Sequence, residues 1–249
     1  MKKYNIDYYN EEKAKMRKKY FADKSLFSEK GIDTNRIFFN YILDELKKNS
    51  KKTLKILDLG TGTGYVPKTL CQLTKNKFKI IGIDLAKEML AVAEKGKQDK
   101  RINYKLANNF KLPFKNGSFD IITNKLSTQF SFKEVYRVLK KDGIFIFKEY
   151  GEFKGFKEIK KIFNQRFKKS NKSIDDYLKE IEKNNYKEII LQRFLIKRDY
   201  KLSEIENIFY MANLIENFKK LDLQKIKSKL MKNSTIRITS DPFIIFLRK

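Results

Sequence analysis

The chain carries an acid followed by three glycines at alternate positions, at the end of an apolar run. The stretch reads ILDLGTGTGY over residues 56–65, with Asp58 ahead of Gly60, Gly62 and Gly64. Glycines directly after a strand let a ligand approach the main chain closely, and the helix that follows points its first N–H groups at that ligand. The pattern therefore predicts a loop that binds a nucleotide-type cofactor.

Two common phosphate-binding loops do not fit this stretch. A phosphate-cradling loop needs lysine and then serine or threonine after its last glycine, whereas Tyr65 follows Gly64. The dinucleotide pattern G-x-G-x-x-G needs a glycine where the chain has Tyr65 or Pro67. The carboxylate of Asp58 suits a positively charged ligand group and repels a pyrophosphate. A second acid, Asp84, ends the next apolar run, where an acid binds ribose hydroxyls.

The elements that must position these residues alternate between short apolar strands and helices. Strands are predicted over 54–59, 78–84, 102–108, 119–125 and 143–150, and helices over 65–73, 87–96 and 132–141. An earlier helix begins with Thr34 or Asn35 as its N-cap. Such alternation is typical of an α/β fold with a parallel sheet covered by helices on both faces.

The C-terminal part of the chain is more helical. Helices are predicted over 155–167, 173–184 and 202–221, a long strand over 186–200, and extended segments over 234–249. Residues 200–233 read as an insertion before the last strand rather than as a separate domain. We expect an N-terminal helical segment at 1–50, a cofactor-binding core at 51–150, and a helical cap with the last two or three strands of the same domain at 151–249.

Five stretches, in this order and spacing, resemble the class I S-adenosylmethionine-dependent methyltransferases, and among them the type 11 methyltransferase domain. They are ILDLGTGTGY, IIGIDLAKEML, ANNFKLPFKNGSFDIIT, FKEVYRVLKKDG and DPFIIFLRK, the last being similar to a reversed final strand. The resemblance is close over residues 50–150 and loose elsewhere. It implies a Rossmann-like, seven-stranded sheet with a helical cap or insertion, and S-adenosyl-L-methionine as the cofactor.

The resemblance also implies a set of cofactor-binding residues. Asp58 would bind the ammonium group, Asp84 the ribose hydroxyls, and the main chain of the glycine loop the methionine part. The predicted set is Asp58, Gly60, Thr61, Gly62, Gly64, Asp84, Leu85, Met89, Asn108, Asn109, Phe110 and Asn124.

The adenine side of this set leaves alternatives open. Met89 and Phe110 would flank the adenine ring, although each also suits plain core packing. The family often has aspartate where this chain has Asn108, and either Asn108 or Asn109 can accept a bond from the adenine amino group. Asn124 follows the fourth strand, where acceptor and methyl group meet, or is structural.

Several kinds of chemistry are excluded by composition. The chain has no histidine, and Cys71 is its single cysteine, so His-based acid–base catalysis, Ser–His triads and internal disulfides are excluded and a zinc site is not expected. No metal is predicted and no catalytic base is identified. Tyr20, Tyr150 and Tyr210 are candidate bases that the sequence does not separate.

The net charge of +27 has two interpretations. Lysine far outnumbers arginine, which favours coding bias in an AT-rich genome over a surface for nucleic acid. We therefore expect a methyltransferase for a small-molecule acceptor; the alternatives are an RNA methyltransferase, or a non-catalytic nucleic-acid-binding module on a vestigial fold. The basic helix at 155–167 is read as part of a cap, with RNA or membrane contact as the alternative. With no signal peptide or membrane-spanning run, a cytoplasmic location is expected.

Overall fold

The computed structural model describes residues 32–127, 129–152, 155–168, 172–212 and 214–249. Its helices are α1 (Thr34–Lys48), α2 (Tyr65–Leu73), α3 (Lys87–Lys95), α4 (Phe132–Val138), α5 (Lys157–Ile162), α6 (Ile174–Glu182), α7 (Leu202–Ala212) and α8 (Lys220–Leu230). Its strands are β1 (Leu54–Leu59), β2 (Phe78–Asp84), β3 (Ile102–Leu106), β4 (Phe119–Lys125), β5 (Leu139–Tyr150), β6 (Glu188–Arg193), β7 (Ile196–Tyr200), β8 (Met231–Lys232), β9 (Thr235–Ser240) and β10 (Pro242–Arg248). Residues 1–31 of the predicted N-terminal segment lie outside the described residues.

The main sheet has seven strands in the order β3-β2-β1-β4-β5-β10-β6. Strands β1 to β5 run parallel to their neighbours, and β10 runs antiparallel to both β5 and β6. The predicted Rossmann-like sheet and its reversed last strand are therefore confirmed. Because the strands from β1 to β5 are parallel, the segments that follow them all emerge at one carboxyl edge, which is where ligands bind in such sheets.

Helices cover both faces of this sheet, as the alternating apolar residues of its strands require. On β5, Ile144 and Ile146 join one core with α1 and α2, while Phe145 and Phe147 join the other with α4 and α6. Successive side chains of a strand point to opposite faces, so one strand supplies both cores. The two cores fix the strand ends that carry the predicted site.

A smaller sheet, β7-β9-β8, lies beyond the carboxyl edge of the main sheet. Strand β7 follows β6 and β9 precedes β10, so the antiparallel β7–β9 pair continues the β6–β10 pair past that edge. With α5, α7 and α8 it encloses an apolar core that includes Phe156, Ile159, Phe209 and Ile238. We call these six elements the cap.

The N-cap of the first helix lies one residue before Thr34, the earlier of its two predicted positions. The N-cap is Asp33, whose carboxylate accepts the N–H groups of Asn35 (2.9 Å) and Arg36 (3.0 Å). The Thr34 hydroxyl is buried instead and accepts a hydrogen bond from the ammonium group of Lys148. An aspartate side chain therefore caps the free N–H groups of the first turn.

The predicted helix over 155–167 is wrong beyond Ile162. Past that point, Arg166 donates hydrogen bonds to the carbonyl of Glu216 (3.1 Å) and to the carboxylate of Asp222 (2.8 Å). Phe167 forms an isolated β-bridge with Ile215. Contacts with distant parts of the cap thus draw this segment out of the helix that its periodicity favours.

The predicted strand over 186–200 is two strands, because β6 ends at Arg193 and β7 begins at Ile196. Proline has no N–H to donate, and Pro242 stands opposite this break, where its carbonyl accepts the N–H of Phe194 (2.9 Å). The interruption allows the pair to leave the main sheet and enter the cap.

Other predicted boundaries shift as well: the strand predicted over 143–150 begins at Leu139, and the helix predicted over 173–184 spans Ile174–Glu182. The helix predicted over 132–141 ends at Val138, since Leu139 already pairs with Phe119 in the main sheet. The helix predicted over 202–221 is replaced by α7 and α8, and the strand predicted over 102–108 ends at Leu106.

Candidate cofactor site

The glycine loop leaves β1 in a left-handed conformation, which glycine adopts without steric cost. Gly60, Gly62 and Gly64 have φ angles of 61°, 55° and 80°, and α2 begins at Tyr65, immediately after Gly64. A Cβ on Gly62 would have no atom within 4 Å. The middle of the loop is therefore bare main chain that borders open space, as close approach of a ligand requires.

Asp84 ties this loop to the end of β2. One carboxylate oxygen accepts the N–H of Gly62 (2.8 Å), and the other accepts the N–H of Ala86 (3.0 Å). The Thr61 N–H donates to the carbonyl of Ile83 (2.8 Å). These bonds fix the loop against β2 and bring Asp84 to Gly62, as the sequence interpretation requires.

Asp58 lies beneath the same loop, with 1% of its surface exposed. The Thr123 hydroxyl donates a hydrogen bond to its carboxylate (2.7 Å). Burial raises the pKa of Asp58 to about 7, and the charge of Asp84 acts in the same direction, while Thr61, Thr123 and Lys125 oppose it. A cationic ligand group would therefore favour the ionised form of this carboxyl.

This pKa predicts a pH-dependent effect of the Asp58→Asn substitution on stability. The pKa of Asp58 is higher in the folded state (about 7) than its ordinary 3.8, so the folded protein loses stability as the pH rises from about 4 to about 7, by about 4 kcal/mol in total. The asparagine variant lacks this loss. Chemical denaturation of the ligand-free protein should show its stability, relative to wild type, increasing by about 3 kcal/mol between pH 4.5 and pH 8.

The exposed acid Asp44 on α1 supplies the matched control for that measurement. Asp44→Asn should differ from wild type by the same small amount at both pH values, because surface charges contribute little. A difference between Asp58→Asn and wild type that does not change with pH would contradict the assignment of a costly buried carboxylate at this position.

The residues predicted to contact adenine differ in their exposure and in their hydrogen bonding. Met89 is 1% exposed and packs in a small cluster on α3, whereas the Phe110 ring is 45% exposed. Leu85 is half-buried. The Asn108 oxygen accepts the N–H of Phe110 (2.8 Å) within its own turn. The Asn109 side-chain oxygen is buried and has no hydrogen-bond partner among the described residues, so it is the better placed acceptor for an external amino group.

Asn124 lies next to β1, and its side-chain amide makes hydrogen bonds to other residues of the protein. Its Nδ2 donates to the carbonyl of Leu59 (3.5 Å), and its Oδ1 accepts the N–H of Ser127 (3.4 Å). Ser127 lies directly against Gly60, where a Cβ would overlap its hydroxyl. Sequence patterns do not single out Ser127, because it follows the predicted strand within a segment that matches no motif.

A second residue that the sequence interpretation missed is Tyr104 on β3. Its ring lies against Gly82 and its hydroxyl against Gly64, so that a Cβ on either glycine would overlap it. The hydroxyl is buried without a hydrogen-bond partner among the described residues, and burial raises the pKa of this phenol. Tyr104 supports the glycine loop from below, and a tyrosine in a strand gives no hint of that role.

The candidate bases and the possibility of a metal receive no structural assignment. Tyr20 lies outside the described residues, Tyr150 ends β5 at the carboxyl edge, and Tyr210 is 47% exposed on α7. The described residues contain no group of three or more Cys, Asp or Glu side chains arranged to hold a metal ion. Within the same ranges, none of the helices has the length and apolar character that a bilayer crossing needs.

Comparison with known sequences places this site in a family. A family model described as a methyltransferase domain matches residues 57–147, which contain the glycine loop, Asp84 and Asn124. An uncharacterised protein of Methanocaldococcus jannaschii is 30% identical over 211 residues, covering 82% of this chain and 78% of that protein. The chain belongs to the class I S-adenosylmethionine-dependent methyltransferases. S-adenosylmethionine is accordingly the cofactor, as predicted.

Named relatives are similar over shorter regions. A ubiquinone/menaquinone biosynthesis C-methyltransferase of Geotalea uraniireducens is 35% identical over 102 residues, which is 36% of this chain and 42% of that protein. The chain thus spans less than half the length of this curated relative. A solved phosphoethanolamine N-methyltransferase 2 of Haemonchus contortus, in complex with phosphomonomethylethanolamine and S-adenosylhomocysteine, has a TM-score of 0.61 at 19% identity, covering 100% of this chain and 61% of that one. At this identity the likeness concerns the fold.

The residues present here fit that cofactor on three observations. A buried carboxyl, Asp58, suits an ammonium group; the bare Gly62 admits a ligand to the main chain; and the buried Asn109 oxygen lacks a partner that an adenine amino group would supply.

Proposed function

We propose that the protein transfers a methyl group from S-adenosylmethionine to a small-molecule acceptor. One arrangement carries the proposal: the open Gly62 follows β1 at the carboxyl edge of the main sheet and donates its N–H to the buried carboxylate of Asp84 (2.8 Å), and a second buried carboxyl, Asp58, lies near the end of β1. Two carboxyls close to bare main chain suit a ligand that has both an ammonium group and a ribose.

In this proposal different residues hold different parts of the cofactor. Asp58 binds the ammonium group, Asp84 binds the ribose hydroxyls, and the Asn109 side-chain oxygen accepts a hydrogen bond from the adenine amino group. The other predicted contacts are retained as proposals: Gly60, Thr61, Gly64, Leu85, Met89, Asn108, Phe110 and Asn124. The bound cofactor supplies an activated methyl group, so the protein is left to orient the acceptor and to exclude water.

The position of the cap supports a small acceptor. The cap extends from β6 and β10 past the carboxyl edge, on the side of β5 away from β1. Its core is apolar and its elements are joined by specific bonds, such as Arg166 to Asp222 (2.8 Å). A folded cover at this edge suits an enclosed acceptor pocket, and the Geotalea and Haemonchus proteins, by their names, methylate small molecules.

The RNA alternative is favoured by one surface. Helix α8 and its neighbours carry exposed lysines, which are Lys219, Lys220, Lys225, Lys227, Lys229 and Lys232. The acid in this stretch, Asp222, is buried and paired with Arg166. Clustered lysines of this kind attract phosphate groups, although a lysine-rich chain also places them on any solvated face.

The experiment that separates these functions uses methyl-tritiated S-adenosylmethionine and an extract of the source organism. The labelled products are separated by size, with and without ribonuclease, and excess S-adenosylhomocysteine serves as the inhibitor control. The proposal predicts label in the small-molecule fraction that the inhibitor abolishes. Ribonuclease-sensitive label in the large fraction would establish the RNA alternative, and absence of label together with absence of S-adenosylhomocysteine binding would favour the non-catalytic module.

A further inference from the structure

Helix α8 packs one side against the cap core and exposes the other to solvent. Leu223 and Ile226 are buried, and the helix lies against α5, α7, β8 and β9. The residues on its outer side are exposed, and we call them the α8 face: Lys220, Leu221, Gln224, Lys225, Lys227, Ser228 and Lys229. Because the inner side is packed, the α8 face has a defined arrangement of side chains.

The α8 face has a neutral line of side chains between two rows of lysine. Leu221, Gln224 and Ser228 follow one another at spacings of three and four residues, which places them along one line of the helix. The helical repeat places lysines on both sides of this line, Lys220 and Lys227 on one and Lys225 and Lys229 on the other. Leu221, with 70% of its surface exposed, therefore projects into solvent between the two rows.

The positive charge of this helix is not offset by acids of its own. Asp222 is the only acid in the stretch 219–232, and it is 7% exposed. Its carboxylate accepts hydrogen bonds from the Arg166 guanidinium (2.8 Å) and from the N–H of Lys219 (2.8 Å). Six of these fourteen residues are lysine, whereas lysine and arginine together are 57 of the 249 residues of the chain. The local density of lysine thus exceeds what the composition alone would place on a solvated helix.

The side chains of the α8 face fit the head groups of a lipid bilayer better than they fit RNA. The stretch 219–232 contains no arginine and no aromatic residue, whereas RNA-binding surfaces use the guanidinium fork and stack bases on aromatic rings. Lysine ammonium groups are attracted to anionic head groups without any need for such geometry. An exposed leucine among lysines adds an apolar contact that a bilayer accepts and a phosphate backbone does not.

We propose that the α8 face binds the protein to membrane surfaces that contain anionic lipids. The two rows of lysine contact the head groups, and the Leu221 side chain enters the boundary between head groups and acyl chains. Lysine side chains are long enough to keep their ammonium groups at the level of the head groups while the helix lies flat. This inference concerns a surface of the cap and does not depend on the proposed methyl transfer.

The first test removes charge from the α8 face. Binding of the full chain to vesicles of phosphatidylcholine and phosphatidylglycerol is measured by sedimentation at about 0.15 M salt. The triple variant Lys220→Gln, Lys227→Gln, Lys229→Gln should lower the partition coefficient by about 100-fold, since each of the three lysines lies near the head groups.

A matched triple variant removes the same charge from the far side of the molecule. Lys47, Lys48 and Lys51 are exposed at the end of α1. On the same helix Glu45 pairs with Arg248 (3.2 Å), which lies opposite the first residues of β5, at the edge of the main sheet away from the cap. Changing these three lysines to glutamine should alter the partition coefficient by about threefold or less, because salt screens charges that lie far from the bilayer.

The second test changes the apolar contact without changing the charge. Leu221→Gln should lower the partition coefficient by about tenfold, because a polar side chain does not gain from entering the acyl boundary. Leu73→Gln replaces another exposed leucine, 52% exposed on α2, and should leave the partition coefficient unchanged. All of these variants should keep the melting temperature of wild type and its affinity for S-adenosylhomocysteine.

Four results would overturn the inference. Wild-type protein that does not bind the vesicles lacks the proposed contact. Equal losses in the two triple variants would show that net charge alone drives vesicle binding, and an unchanged partition coefficient in Leu221→Gln would show that the α8 face does not enter the bilayer. Binding of a duplex RNA in place of the vesicles at the same salt would assign the face to RNA. The affinity for S-adenosylhomocysteine tests the proposed function separately from all four.

Discussion

Leucine in place of Gly62 is expected to lower the affinity for S-adenosylhomocysteine by about 100-fold or more while the protein still folds. The Cβ at this position points into space that no atom of the protein occupies within 4 Å, so the added side chain meets the ligand rather than the core. The left-handed backbone, with φ of 55°, adds about 1–2 kcal/mol of strain, which the melting temperature will record.

The chain offers a closely matched control for that strain. Gly117 has a φ of 61° and also has no atom within 4 Å of a Cβ, but it precedes β4 at the opposite edge of the main sheet. Gly117→Leu should therefore lower the melting temperature as Gly62→Leu does and leave S-adenosylhomocysteine affinity unchanged in calorimetry. If Gly62→Leu and Gly117→Leu bind S-adenosylhomocysteine with equal affinity, the glycine loop is a structural turn and does not contact the cofactor.

Alanine in place of Asp84 is expected to weaken S-adenosylhomocysteine binding by about 100-fold, equivalent to about 3 kcal/mol. The substitution removes the proposed ribose acceptor and also the carboxylate that accepts the Gly62 N–H (2.8 Å) and the Ala86 N–H (3.0 Å). The loss should therefore appear both as weaker binding in calorimetry and as a lower melting temperature of the ligand-free protein.

Two comparisons separate these effects. Asp44→Ala removes an exposed acid from α1 and should leave both quantities unchanged. Asp84→Asn retains one acceptor oxygen and should lie between wild type and Asp84→Ala in affinity. If Asp84→Ala lowers the melting temperature but changes the affinity less than threefold, Asp84 is a loop-fixing residue and the ribose assignment is wrong.

The cofactor-binding half of the fold could be predicted because its signals are local. The strands over 54–59, 78–84 and 119–125 and the helix over 65–73 have the predicted bounds, since each is a short apolar run or an amphipathic stretch next to a glycine or a polar turn. The reversed last strand came from resemblance rather than from periodicity.

The cap could not be predicted in the same way because distant contacts decide its elements. Helical spacing over 155–167 was overridden by the bonds of Arg166 to Glu216 and Asp222, and the strand over 186–200 is broken opposite Pro242. Single-sequence patterns do not report which remote segment a residue will meet.

The residues of the site fall into the same two groups, those that local patterns predict and those that tertiary contacts place. Asp58, Gly62 and Asp84 stand in one contiguous pattern or at a strand end, so their approach to each other follows from a parallel sheet. Ser127 contacts Gly60, and Tyr104 contacts Gly64, only because the tertiary fold brings them together. The residues next to them in the sequence do not indicate these contacts.

A crystal structure of the protein with S-adenosylhomocysteine tests the central claim most directly. The account predicts one bound molecule along the glycine loop, with its amino group at Asp58, its ribose at Asp84 and its adenine amino group at Asn109. Binding at another place, or in the reversed direction along the loop, would contradict the account.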